Sequence, residues 1–117
     1  MGATPNPSSS DSELTITVEK KPDGALVHCA GRITAASAPQ FLEEVRPLVL
    51  SSRRVVLELG QLNYLDSSGL GAVVRLWMTG KKSGCEFKVS NLTPRIKDLF
   101  SLTNISSIFE NVEHSGM

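Results

Sequence analysis

The feature that most constrains the fold is a junction between a strand-like run and a helix-like run in the middle of the chain. Residues 54–59 are rich in Val and Leu, which is typical of a strand buried on both faces at the centre of a sheet. Residues 66–71 follow with the sequence DSSGLG, and residues 70–78 repeat apolar side chains at helical spacing. The sequence therefore predicts a strand that ends at a compact turn, with a helix beginning directly after it.

Two serine hydroxyls lie at this turn, and they are the strongest candidates for a functional site in the sequence. Ser67 and Ser68 stand at the start of the predicted helix, where free backbone N–H groups and the helix dipole favour anions. The turn is therefore a candidate phosphate-handling or phosphorylated site. A structural alternative stays open, in which either serine only caps the helix, contributing about 1 kcal/mol, and Gly69 only permits close packing.

Strand and helix patterns alternate before the junction. Residues 14–18 and 25–33 predict two strands, and the KPDG turn between them predicts a hairpin. An amphipathic helix follows, with Ser37 as its N-cap and Pro39 in its first turn. Pro47 is expected to kink this helix or to end it early.

The alternation continues after the junction. The second helix is expected to end at residues 80–82, where two lysines complement the negative end of its dipole. Residues 86–90 predict a short strand, Thr93 caps another helix, and residues 105–109 could form a last strand. The predicted order is β-β-α-β-α-β-α, an α/β single domain with a mixed four- to five-stranded sheet packed against helices.

Composition limits the partners that the chain can recognise. Among its 117 residues Lys plus Arg equals Asp plus Glu, so no basic field directs the chain to nucleic acid or to an acidic membrane. No run of about 18 apolar residues predicts a membrane helix. Residues 1–12 are rich in Ser and Pro and are expected to form a disordered leader rather than a signal peptide. We therefore expect a cytoplasmic protein.

The cysteines and histidines do not form a recognisable metal site. Cys29 lies in an apolar strand-like run and is expected to be a buried free thiol, while a disulfide with Cys85 stays open at this point. With two Cys and two separated His, the chain lacks the ligand spacing of a zinc site.

The serines do not match the motifs of known catalysts. Neither serine has the preceding glycine of a Gly-x-Ser-x-Gly nucleophile elbow, because Leu65 stands there for Ser67 and Asp66 for Ser68. His28 lies in a predicted strand and His114 in the tail, so neither is placed as the base of a triad. Residues 80–84 have the wrong spacing for a phosphate-binding loop. A serine without a base is a poor catalyst but a suitable substrate, so we expect no catalytic residue and no cofactor.

The turn and the segments around it resemble STAS domains, in particular bacterial anti-sigma factor antagonists. The resemblance rests on DSSGLG at 66–71 after a hydrophobic strand, GRI at 31–33 before the first helix, and residues 94–104 in the last-helix region. It implies a STAS-like fold over most of the chain. The expected division is a leader at 1–12, a STAS domain at 13–112 and a polar tail at 113–117.

This resemblance implies a regulatory binding protein rather than an enzyme. An unphosphorylated antagonist of this kind binds an anti-sigma factor, which is also a serine kinase, and so frees a sigma factor. The kinase uses ATP and Mg²⁺ to phosphorylate the serine directly after the Asp, which is Ser67 here. The phosphorylated form releases the kinase, and a phosphatase resets it. A monomer is expected; the alternative is a scaffold or ligand-sensing STAS domain in a stress-signalling or lipid-transport complex.

The same resemblance implies a partner-binding surface. Ser68, Gly69 and Leu70 are its expected contact residues, and Asp66 is expected to shape the turn and its local field. Thr34 is included as the position where the chain departs from the family, because many antagonists carry Asp there, close to the phosphorylation turn. A hydroxyl at this position can still form a hydrogen bond, but it carries no charge.

Overall fold

The computed structural model describes residues 13–102 and 112–113, which form a mixed sheet with helices packed against it. The described elements follow the predicted order and end in a strand. They are β1 Leu14–Lys21, β2 Gly24–Ile33, α1 Ala38–Ser51, β3 Arg54–Leu65, α2 Ser67–Ser83, β4 Glu86–Ser90, α3 Pro94–Leu102 and β5 Val112–Glu113. The expected fold class and element order are confirmed.

The strands lie side by side in the order β1-β2-β3-β4-β5. β1 pairs antiparallel with β2, and the remaining neighbours pair parallel, so the sheet is mixed. Ile33 at the end of β2 is in register with Leu65 at the end of β3. Parallel register therefore brings the connections that follow these two strands, which begin at Thr34 and Asp66, to the same edge of the sheet.

A single core lies between the helices and one face of the sheet. Val55, Leu57 and Leu59 of β3 are fully buried in it, whereas Val56 and Glu58 between them are only half-buried. The prediction that this strand is buried on both faces is therefore wrong. β3 does lie at the centre of the sheet, but in the described part of the chain the core occupies one side of it.

Two helix ends differ from the expected ones. α1 runs through Pro47 to Ser51, so the proline does not end the helix early. α2 extends to Ser83, beyond the predicted end at residues 80–82, and is followed by Gly84 with a φ of 81°. Lysines do stand in its last turn, as the dipole argument requires.

The other local predictions are largely confirmed. Lys21 pairs with Gly24, so two residues connect the strands of the predicted hairpin. Thr93 caps α3, because its hydroxyl accepts a hydrogen bond from the Ile96 N–H at 3.3 Å. Ser37 precedes α1 as predicted, but its side chain makes no capping bond to the helix. The predicted strand at 105–109 lies outside the described residues.

Both cysteines are free and buried. Burial raises the pKa of the Cys29 thiol to about 12, with a smaller contribution from nearby carboxylates, and the pKa of the Cys85 thiol is also raised by burial. None of the helices in the described segments is long and apolar enough to span a membrane.

Candidate functional site

Asp66 organises the connection between β3 and α2. It is the N-cap of α2, and its Oδ1 accepts a hydrogen bond from the Gly69 N–H at 2.9 Å. Its Oδ2 accepts a second bond from the Ala35 N–H at 3.3 Å, across the edge of the sheet. The hypothesis that Ser67 or Ser68 caps this helix is therefore wrong, because the carboxylate one residue earlier forms the cap.

Ser67 and Ser68 are left with exposed side chains in the first turn of α2. Neither hydroxyl has a hydrogen-bond partner among the residues that the structure describes. The first N–H groups of a helix lack intrahelical acceptors and lie at the positive end of its dipole. An anionic group on either hydroxyl would therefore lie in a favourable field without displacing an existing hydrogen bond.

Gly69 and Leu70 lie beneath this surface rather than on it. A Cβ on Gly69 would be 2.3 Å from the Ile33 carbonyl oxygen and 2.7 Å from a methyl group of Leu65, so only glycine permits α2 to start this close to β2. Leu70 is buried in the core, with 6% of its surface exposed. These two residues hold the serines in place, and their burial leaves little side-chain surface for direct contact with a partner.

Thr34 lies at the same edge of the sheet, at the start of the loop that leads into α1. Its hydroxyl lies 3.0 and 2.9 Å from the two carboxylate oxygens of Glu13 and accepts a bond from the Ala36 N–H at 3.2 Å. Its backbone N–H donates to the Ser37 hydroxyl at 2.9 Å, and that hydroxyl donates to the Arg32 carbonyl. The loop next to Asp66 is therefore held by side-chain hydrogen bonds.

Glu13 was not among the sequence-based candidates. Its place depends on the register of the hairpin, in which Leu14 pairs with Gly31 and the Arg32 N–H donates to the Glu13 carbonyl oxygen at 2.8 Å. The hairpin was predictable from its turn, and its register would have placed Glu13 beside Arg32. The sequence offers no further signal that the carboxylate bonds to Thr34.

An open groove adjoins the two serines. Its volume is about 530 Å³, and it lies between the first halves of α1 and α2. Pro39 and Leu42 supply apolar surface, Ser67 and Ser68 supply hydroxyls, and Arg75 supplies a positive charge. Such a mixed apolar and polar groove can receive a protruding segment of a partner protein.

In the described residues neither serine hydroxyl is hydrogen-bonded to a His, Asp or Glu side chain, and the neighbouring Asp66 carboxylate bonds to backbone N–H groups instead. His28 lies within β2, with its ring nitrogens 3.5 Å from a Glu19 carboxylate oxygen and 3.7 Å from one of Glu58, and it does not line the groove. Hydrogen bonds from Lys21 and then His28 lower the pKa of Glu19. Residues 13–102 contain no group of three or more His, Cys, Asp or Glu side chains that could hold a metal ion. His114 lies outside the described residues.

Comparison with known proteins gives a consistent result. The family model of the STAS domain matches residues 15–115. The chain is 31% identical over 97 residues to the anti-sigma-B factor antagonist of Bacillus subtilis, covering 83% of this chain and 89% of the relative. It is also 31% identical to the anti-sigma-B factor antagonist of Listeria monocytogenes, covering 81% of this chain and 86% of the relative.

Solved structures with the same fold include the anti-sigma factor antagonist SpoIIAA in two forms. The unphosphorylated form has a TM-score of 0.70 at 14% identity, covering 85% of this chain and 86% of that one. The phosphorylated form, from Bacillus, has a TM-score of 0.69 at 13% identity, covering 85% of this chain and 89% of that one. At these identities the likeness concerns the fold alone.

Proposed function

We propose that this chain, which belongs to the STAS domain family and is an anti-sigma factor antagonist, is switched by phosphorylation of Ser67. The observation that carries the proposal is that Asp66, and not Ser67, makes the side-chain hydrogen bonds that hold the turn. Asp66 makes both the helix cap and the bridge to Ala35, while the Ser67 hydroxyl is exposed and has no partner in the described residues. The serine can therefore change chemically without loss of the bonds that hold the turn.

The phosphorylation step takes place in the active site of a kinase, which positions ATP and Mg²⁺ and stabilises the charge on the transferred phosphoryl group. The Ser67 oxygen attacks the γ-phosphorus of ATP, a new O–P bond forms, and the bond between the γ-phosphorus and the bridging oxygen breaks. ADP leaves with that electron pair, and the serine proton passes to a base of the kinase or to solvent. The chain is thus a substrate and a binding protein, not an enzyme, and needs no cofactor of its own.

The phosphoryl group changes the surface more than it changes the fold. It adds about −1.5 to −2 charges and three acceptor oxygens at the N-terminus of α2. The helix dipole and the free N–H groups there favour an anion, so the domain stays folded. A partner that packs on the turn must desolvate this charge next to the Asp66 carboxylate, and its binding weakens accordingly.

The unphosphorylated surface binds an anti-sigma factor that is also a serine kinase. Ser67, Ser68, Asp66 and Thr34 form the exposed and half-buried part of this surface, and the groove beside the serines extends it. A phosphatase removes the phosphoryl group and restores binding. The chain acts as a monomer in the cytoplasm.

The test uses the anti-sigma factors encoded in the genome that carries this chain. Each is purified and incubated with the chain, ATP and Mg²⁺, and the phosphorylated residue is located by tandem mass spectrometry. We expect phosphate on Ser67, its loss in Ser67→Ala, and its retention in the matched control Ser68→Ala. We also expect Ser67→Glu to weaken binding of the same anti-sigma factor. Phosphate at another residue, or unchanged binding after phosphorylation, would contradict the proposed switch.

A further inference from the structure

The backbone of Glu13 is fixed against the end of β2. The Arg32 N–H donates to the Glu13 carbonyl oxygen at 2.8 Å. Gly31 next to it has a φ of 107°, and a Cβ on Gly31 would lie 2.1 Å from that carbonyl oxygen. Only glycine allows this conformation and this approach without strain. The start of β1 is therefore held at the edge of the sheet where the serine turn lies.

The side chain of Glu13 is fixed as well. The Thr34 hydroxyl accepts from the Ala36 N–H, so its single proton is available to the carboxylate, whose oxygens lie at 3.0 and 2.9 Å. Glu13 is half-buried, so part of its surface remains accessible. The uncharged Thr34 is thus hydrogen-bonded to a carboxylate from the residue that precedes β1.

The Glu13 carboxylate and the Asp66 carboxylate lie on either side of one short loop. Thr34 bonds to the first, and the N–H of Ala35, the next residue, bonds to the second. Neither carboxylate forms an ion pair with a Lys, Arg or His among residues 13–102. Two fixed carboxylates that form no ion pair within the described residues make this edge complementary to a basic side chain of a partner.

We infer that Glu13 belongs to the partner-binding surface, where its carboxylate pairs with a Lys or Arg of the anti-sigma factor. Thr34 is its positioning residue, because the threonine hydroxyl holds the carboxylate in place. This inference rests on the proposed function and adds to it a residue, and a partner chemistry, outside the DSSGLG turn. The contact lies on the loop whose Ala35 lines the same groove as Ser67, so it contributes to binding before phosphorylation takes place.

Variants that change charge, shape or hydrogen bonding one at a time distinguish the role of Glu13 from that of Thr34. In Glu13→Gln the fixed charge is lost while the shape is kept. In Thr34→Ala the carboxylate stays in the chain but loses its hydrogen bond. In the double variant Glu13→Gln with Thr34→Asp, the new carboxylate supplies the charge directly and can still accept from the Ala36 N–H, as Asp commonly does two residues ahead in turns. The matching double variant with Thr34→Asn keeps that acceptor without a charge.

The experiment measures binding of the anti-sigma factor that phosphorylates wild-type Ser67, by calorimetry at two salt concentrations. Glu19→Gln is the control, because it removes the same charge from the far end of β1. We expect Glu13→Gln and Thr34→Ala to bind about fivefold more weakly with a smaller salt dependence, and Glu19→Gln to bind like wild type. The double variant with Thr34→Asp should recover wild-type affinity, and the double variant with Thr34→Asn should not.

Three results would overturn this inference while leaving the proposed function intact. They are wild-type binding by Glu13→Gln, equal weakening by Glu19→Gln, and equal recovery by the Thr34→Asp and Thr34→Asn double variants. The last would show that loop shape, not charge, is recognised. Thermal unfolding of each variant, followed by circular dichroism, shows whether it remains folded at the assay temperature. If no anti-sigma factor phosphorylates or binds the wild-type chain, the proposed function itself fails.

Discussion

The Asp66 carboxylate accepts a hydrogen bond from the Ala35 backbone N–H at 3.3 Å, joining the connection before α2 to the connection before α1. The same carboxylate caps α2 through the Gly69 N–H. One side chain therefore sets the relative position of two loops at the edge where β2 and β3 end. Ser67 takes no part in these bonds, which is why a charge added to it can alter the surface while the turn keeps its structure.

Replacing Asp66 with Ala should reduce the free energy of unfolding by about 1–2 kcal/mol, because the helix loses its cap and the bridge to Ala35 is broken. Ser67→Ala is the matched control and should change the free energy of unfolding by less than about 0.5 kcal/mol, since it removes an exposed hydroxyl without a partner in the described residues. Urea unfolding at neutral pH measures both. Equal losses in the two variants would show that Ser67 shares the structural role assigned to Asp66.

Two glycines in the first turns of α2 should respond to Ala in opposite directions. In Gly69→Ala the new methyl group meets the Ile33 carbonyl oxygen at 2.3 Å, so we expect a loss of about 3 kcal/mol in the free energy of unfolding. In Gly71→Ala nothing lies within 4 Å, and the better helix propensity of Ala should add about 0.5–1 kcal/mol. Chemical denaturation of both variants gives the comparison. A stabilised Gly69→Ala would mean that α2 starts farther from β2 than this structure places it.

Local sequence signals predicted most of the fold. The KPDG turn, the alternating strands and the apolar spacing of the helices each specify a nearby conformation, and they led to the correct element order. The run at 54–59 identified the central strand, but a Val- and Leu-rich sequence does not tell how many faces of a sheet are covered. The prediction of two buried faces therefore failed, although the position of β3 was right.

The site was predictable where its residues are adjacent in sequence and not where they come from separate strands. The turn at 66–71 located the exposed serines, but Asp and Ser are nearly equal as N-caps, so only the geometry assigns the cap to Asp66. Glu13 and Thr34 are 21 positions apart and meet through antiparallel pairing across Gly31. Composition and periodicity do not report such pairing.

Pro47 gives a third prediction, this time on α1. A proline inside a helix has no N–H to donate to the carbonyl four residues earlier, here that of Glu43. α1 nevertheless continues for another turn, so Pro47→Ala should restore the missing bond and raise the free energy of unfolding by about 1–3 kcal/mol. Arg46→Ala, at the exposed neighbouring position, should change it by less than about 0.5 kcal/mol. A destabilised Pro47→Ala would show that the proline ring packs favourably where it lies.

The cysteines give a fourth prediction, on the pH dependence of stability. Because the folded chain raises the Cys29 pKa to about 12 from an ordinary value of about 9, the unfolded thiol ionises first as the pH rises. The unfolded state then binds fewer protons, so stability is unaffected below about pH 9 and falls between about pH 9 and 12, with a limiting slope of about 1.4 kcal/mol per pH unit.

Urea unfolding of wild type and Cys29→Ala at a series of pH values isolates this contribution, because the other titrating groups are common to both chains. The difference in stability between them should shrink as the pH rises above about 9. Cys29 is 1% exposed and Cys85 is 6% exposed, so a thiol-specific reagent at neutral pH should label neither in the folded protein and both in denaturant. Rapid labelling of Cys29 under native conditions, or a pH-independent difference between the two chains, would contradict the buried, protonated thiol.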